Sequence, residues 1–308
     1  MPETRPPRTL AIVLAIIVVA AGAGGIGFLY YENHRPGPSG PLTVQVGDNA
    51  TVNYIGIFGA GPQVGRVFDT SEYAVAMNDL AWPKSLLYTS RGASPANYTP
   101  LPVYVGSTAP AAGYTVGNLT FSSVVTGFWQ GLVGLPGNQT RYVTVPPSLG
   151  YSFVNGSCFV TQPLTYTKPV LVTLTPAGFA SAFPSVTATP GLEFTDPLYG
   201  WPDLILTVNA TAVAYENLPS LGMTTSPSGW SVTVTSITST TITLVNQLSP
   251  GQAGLVKGKS TASICGTTSF IVSQVNLGAS TYTEDYNTEV AGQTLIFIVS
   301  VVDIFPPS

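Results

Sequence analysis

From Ser152 to about Tyr286 the chain is built from short runs in which apolar residues alternate with Thr and Ser. Residues 171–175, 204–208, 232–237, 241–245 and 270–275 carry the period of two that puts every second side chain on one face of a strand. Pro and Gly separate most of these runs and deny a helix room to grow. The stretch therefore reads as all β. Within it, 232–252 (ending Leu-Ser-Pro-Gly-Gln) echoes 270–293 (ending Glu-Val-Ala-Gly-Gln). The echo has two readings, a duplicated unit or the generic likeness of β-hairpins.

The region before this stretch is mixed. Val44, Val46, Val52 and Tyr54 alternate around Gly47-Asp48-Asn49 and predict strand, turn, strand. Residues 72–100 lack a period and predict a loop with a short helix. Residues 101–106 predict a strand, and 127–135 is the best helix candidate, weakened by Gly131 and Gly134 and stopped by Pro136-Gly137. Alternation resumes over 141–145.

Composition removes several classes of function. Only 8% of residues are charged and 44% are hydrophobic, which is not the low-hydrophobicity, high-charge signature of disorder. With ten Lys and Arg and a formal charge of −4 the chain lacks the basic footprint of a nucleic-acid binder. His34 is the only histidine and there are two cysteines, a poor donor set for a metal, and no cofactor motif is present.

Residues 10–31 carry no charge and are long enough to span a bilayer, with Arg5 and Arg8 just before them. They predict a single-pass anchor with residues 1–9 in the cytoplasm and the bulk outside; a cleaved signal peptide, with 21–23 as the small-residue site, is the competing reading. Residues 32–41 are a Pro/Gly-rich linker. Six Asn-x-Ser/Thr sequons begin at Asn49, Asn97, Asn118, Asn138, Asn155 and Asn209, and with the low charge suggest an exported, glycosylated surface protein of archaeal look. Cys158 and Cys265 form either a disulfide, as an oxidising exterior favours, or two buried thiols.

Three separated stretches share one further property. VGDNATVNYIG (46–56) with RVFDTS (66–71), VVTGFWQGL (124–132) running into VPPSLGY (145–151), and AGQTLIFIV (291–299) resemble, in that order, the FKBP-type peptidyl-prolyl cis-trans isomerases. The long gap before the third stretch resembles the insert-in-flap domain of SlyD-like members, here enlarged. The resemblance implies an α+β, mainly β fold: a curved antiparallel sheet around one short helix (42–152 plus 286–304), interrupted by a β insert (153–285). It implies a pocket made by Tyr54, Phe68, Asp69, Tyr104, Val124, Val125, Phe128, Tyr151 and Phe297, with the Val125 N–H holding a substrate carbonyl. The chain departs from the family at Trp129 and Gln130, where acidic residues are usual, at Gly150-Tyr151-Ser152, and in an extra segment at 110–120.

The implied activity is prolyl isomerisation with chaperone action on unfolded, proline-containing exported polypeptides, with the membrane as the other partner and no nucleic acid. The alternatives are a catalytically inactive binding module of the same fold and a structural surface protein. Phe179, Phe183, Trp201 and Trp230 read equally as a client-binding face of the insert or as its core.

Overall fold

The computed structural model of the chain describes residues 42–109, 115–116 and 118–307. The expected cytoplasmic segment 1–9, anchor 10–31 and linker 32–41 lie outside them. Among the described residues no helix is long and apolar enough to cross a membrane. The fold is α+β and mainly β, with curved antiparallel sheets and few, short helices.

Strand β1 (Asn49–Phe58) organises the first sheet. It starts later than the sequence pattern predicts: Thr43 makes only an isolated bridge to Pro136, and the chain turns at Gly47, with φ of 98°. Ala50, Val52, Tyr54 and Phe58 point to the main core, while Ile55 packs with Val67 and Val75 on the opposite face. The sequon residue Asn49 is consequently 2% exposed. β2 (Val67–Thr70) pairs with the second half of β1, followed by helix α1 (Tyr73–Ala76). β3 (Leu101–Tyr104) pairs with the first half of β1. β4 (Thr115–Val116) and β5 (Leu119–Thr120) make a small separate hairpin.

Helix α2 (Thr126–Leu132) then packs on β6 (Thr140–Val145). Gly131, expected to weaken the helix, and Gly127 are what let it approach, whereas Gly134 lies past its end with open space around it. A Cβ on Gly127 would lie 2.7 Å from Val145 Cγ1, and one on Gly131 would lie 2.3 Å from Val143 Cγ1. Arg141 closes the helix end by donating to the Gly131 and Val133 carbonyls at 2.9 and 3.0 Å.

The insert is a nested triple repeat. β7 (Phe159–Pro163), β8 (Thr165–Pro169) and β9 (Leu171–Leu174) run outward in succession. After α3 (Pro176–Ala182) the chain returns through three meanders. β10 (Glu193–Thr195), β11 (Pro202–Val208) and β12 (Val213–Asn217) pair onto β9. β13 (Thr224–Thr225), β14 (Val232–Ile237) and β15 (Thr241–Asn246) pair onto β8. β16 (Lys257–Ile264), β17 (Thr267–Asn276) and β18 (Thr281–Asp285) pair onto β7. The outermost sheet in chain order thus forms from the innermost stretch of sequence.

The repeat extends to single residues. Cys158, Leu164 and Val170, six apart and all buried, accept the N–H of Tyr286, Asn246 and Asn217 at 2.9, 2.8 and 2.8 Å. Gly191, Gly222 and Gly254, all at positive φ, donate to the Ile205, Val234 and Val272 carbonyls. Trp201 and Trp230 donate to Asn217 and Asn246 respectively. The four insert aromatics Phe179, Phe183, Trp201 and Trp230 are buried, so they build the insert's cores and present no binding face. Cys158 and Cys265 are joined in a disulfide, with Cys265 in the turn between β16 and β17.

Strand β19 (Leu295–Phe305) closes the structure by running antiparallel between β1 and β6 in the first sheet.

Candidate functional site

Register explains how the first sheet collects aromatic rings. Gly56 on β1 stands opposite Phe297 of β19 on one side and Asp69 of β2 on the other. The β1–β2 pairing then shifts, so that Ile57 faces Val67 and Phe68 is left as the extra residue of a bulge. A bulge of this kind lets consecutive residues serve one side of a sheet, and Phe68 and Asp69 both turn into the same concavity. Gly56 leaves the space that Phe68 needs, because a Cβ there would lie 2.5 Å from Phe68 Cζ.

The result is an open cavity of about 470 Å³ between the sheet and α2. Its apolar lining is Tyr54, Phe68, Phe128 and Phe297 with Leu101, Val124 and Val125. The rings hold one another edge to face: Phe128 to Phe297 at 4.9 Å, Phe68 to Phe297 at 5.6 Å and Tyr54 to Phe128 at 6.0 Å between centroids. Such contacts contribute about 0.5–1.5 kcal/mol each beyond burial and fix the ring planes. Val125 is the residue before the first turn of α2, and among the described residues no backbone acceptor takes its N–H.

The polar rim is a closed network. Tyr54 Oη donates to Asp69 Oδ2. Arg91, from the loop before β3, donates to Tyr54 Oη at 2.7 Å and to both carboxylate oxygens of Asp69 at 2.9 and 3.2 Å. The Thr70 N–H donates to Asp69 Oδ1 at 2.8 Å. Arg91 is itself positioned: its N–H donates to Tyr98 Oη at 3.1 Å, and Asn97 Nδ2 donates to its carbonyl at 2.6 Å. Burial, and then the Asp69 charge and hydrogen bond, raise the Tyr54 hydroxyl well above the ordinary phenol range. Burial and the Asp69 charge also raise Tyr151. Both phenols are therefore protonated donors at neutral pH.

Eight of the nine residues expected from the sequence line this one cavity: Tyr54, Phe68, Asp69, Val124, Val125, Phe128, Tyr151 and Phe297. Tyr104 is not among the lining residues. Leu101 lines the cavity and Val103 is core, so strand alternation turns Tyr104 to the other face, where its ring lies over Gly106. Sequence reasoning missed Leu101, Ser123 and Arg91. The alternation of β3 could have found the first; Arg91 sits in the aperiodic loop, where nothing local marks it. Among the described residues no group of three or more His, Cys, Asp or Glu comes together that could hold a metal ion.

No protein-family model matches the chain, and no curated protein matches it. The site must be read from its own geometry.

That geometry does not favour proton transfer or nucleophilic attack. The one carboxylate in the cavity already accepts from a phenol, a guanidinium and an amide. The cavity can bind a compact apolar group between fixed rings, offer it one backbone donor, and keep water from it.

Proposed function

We propose that the chain is a peptidyl-prolyl cis-trans isomerase of the FKBP type with SlyD-like organisation. In this reading it assists unfolded, proline-containing exported polypeptides outside the membrane, held there by 10–31, and the insert supplies chaperone capacity. The observation that carries the reading is the convergence of residues from β1, β2, α2 with its preceding turn, the segment after β6, and β19 on one aromatic cavity.

Rotation about an Xaa–Pro bond is opposed by amide resonance, with a barrier of roughly 18–20 kcal/mol. Resonance separates charge, and water stabilises the separated form. Inside walls of Phe68, Phe128, Phe297 and Tyr54 that stabilisation is withdrawn, and the twisted amide, which is less polar, is favoured relative to the planar one. The pyrrolidine ring rests on Phe128 while the Val125 N–H holds a substrate carbonyl, so the chain on one side of the bond is fixed and the other side turns. Asp69, locked by Tyr54 and Arg91, holds the rim in shape, and Tyr151 offers its hydroxyl to substrate. Each ~1.4 kcal/mol of preferential stabilisation contributes about tenfold in rate.

A protease-coupled assay on a short Xaa-Pro peptide tests the reading with the full-length chain in mild detergent. Accelerated isomerisation is expected, with a loss of tenfold or more in Phe128→Ala and Asp69→Ala that remain folded by circular dichroism. A wild-type rate equal to the uncatalysed one refutes it.

A further inference from the structure

A second concavity of about 650 Å³ lies where the loop before β3 meets the insert. One wall is Leu86, Leu87 and Tyr88; the other is the turn around Pro227 and the strand β16 with Lys257 and Lys259. β16 is an edge strand, with β17 on its only paired side. Lys257 and Lys259 are exposed, two apart on a strand, and so project from the same face about 7 Å from one another. Gly258 between them is pressed inward, since a Cβ there would lie 2.3 Å from Phe270 Cζ.

The charge of this cleft opposes that of the molecule. The whole chain has a formal charge of −4, yet no acidic residue lines the cleft and two lysines do. Glu289 lies close enough to feel the charge of Lys257 and offsets it in part, but its carboxylate is engaged elsewhere: it accepts from Ser85 Oγ at 2.5 Å and from the Leu87 N–H at 3.1 Å, tying the loop to the segment before β19. Neither lysine has a carboxylate partner among the described ion pairs. Between the lysines and the loop the lining is mixed, with Leu86 and Leu87 beside the hydroxyls of Thr89, Ser228, Thr267 and Ser269.

We infer that this cleft binds an extended acidic peptide segment whose carboxylates recur at every second residue. Alternate side chains of an extended chain are spaced as Lys257 and Lys259 are, so two carboxylates meet two ammonium groups while the intervening residue faces Leu86 and Leu87. The loop that forms the cleft continues directly into Arg91, which holds Asp69 in the aromatic cavity. A client held there therefore lies beside the cavity, and resting on the isomerase reading, this names a client class: chains with alternating acidic residues flanking the proline.

The test uses the full-length chain in mild detergent and a fluorescein-labelled, proline-free peptide of alternating Glu and Thr, read by anisotropy. Binding is expected for the Glu peptide and not for its Gln counterpart. It should weaken about tenfold or more in Lys257→Gln/Lys259→Gln, and weaken with added salt. Equal binding of the Glu and Gln peptides, or equal binding by wild type and the double variant, overturns the inference. Because the probe lacks proline, failure here leaves the isomerase assay standing, and failure of that assay leaves this one readable. Both lysines are exposed, so the variants report on binding with the fold intact.

Discussion

Replacing Asp203 by Asn removes a titration from the interior of the outermost insert sheet. Asp203, Val232 and Phe270 occupy equivalent places, each two residues before the bulge in its sheet, and all three are buried. Where its counterparts are apolar, Asp203 is a carboxyl group with neither oxygen hydrogen-bonded among the described residues. Burial above all, and then the negative charge of Asp196, push its pKa from 3.8 up to about 7. The unfolded chain loses this proton near 3.8 while the folded chain keeps it to about 7. Stability from the neutral group is therefore complete below 3.8 and is lost as the pH rises through 7. That displacement, at ~1.36 kcal/mol per pH unit, amounts to about 4 kcal/mol. Urea unfolding followed by tryptophan fluorescence suits the purpose, because Trp201 is fully buried and stacked on Tyr199 at 4.3 Å. Wild type should lose about 4 kcal/mol relative to Asp203→Asn between acidic and mildly alkaline solution. A stability difference between the two proteins that is constant across that range refutes the reasoning.

Two further substitutions probe the scaffold. Gly131→Ala should gain up to about 1 kcal/mol of helix propensity and lose about 1–3 kcal/mol to the clash with Val143, so the denaturation midpoint should fall. Cys158→Ala/Cys265→Ala opens a cross-link between residues 107 apart in sequence and should cost about 4–5 kcal/mol, read as a lower melting temperature that reductant no longer changes.

Much of the site was legible because its residues sit in short motifs whose register is local. Tyr54 and Gly56 are two apart on one strand, Phe68 and Asp69 are adjacent at a bulge, and Val124, Val125 and Phe128 share one helix start. Tyr104 shows the limit. The aromatic residue was the natural choice in its strand, but parity had already been decided by Leu101 and Val103 facing the core. Arg91 was illegible because its place depends on Tyr98 and Asn97 holding a loop without a period.

The insert divides in the same way. The strands of the returning meanders alternate clearly, and the echo of 232–252 in 270–293 correctly aligned Val232 with Phe270. The third copy was hidden, because Asp203 breaks the apolar pattern there. Nor could sequence show that three short runs, marked only by Cys158, Leu164 and Val170, each complete a sheet whose other strands lie far downstream. That is information about pairing, which no single segment contains.

The most direct test of the central claim is exchange spectroscopy on a short Xaa-Pro peptide mixed with a small fraction of the protein. Uncatalysed isomerisation takes tens of seconds or more at room temperature. The account predicts cis–trans exchange peaks at sub-second mixing times, and their disappearance in Phe297→Ala. A spectrum with no exchange peaks at those mixing times for the folded wild-type protein contradicts it.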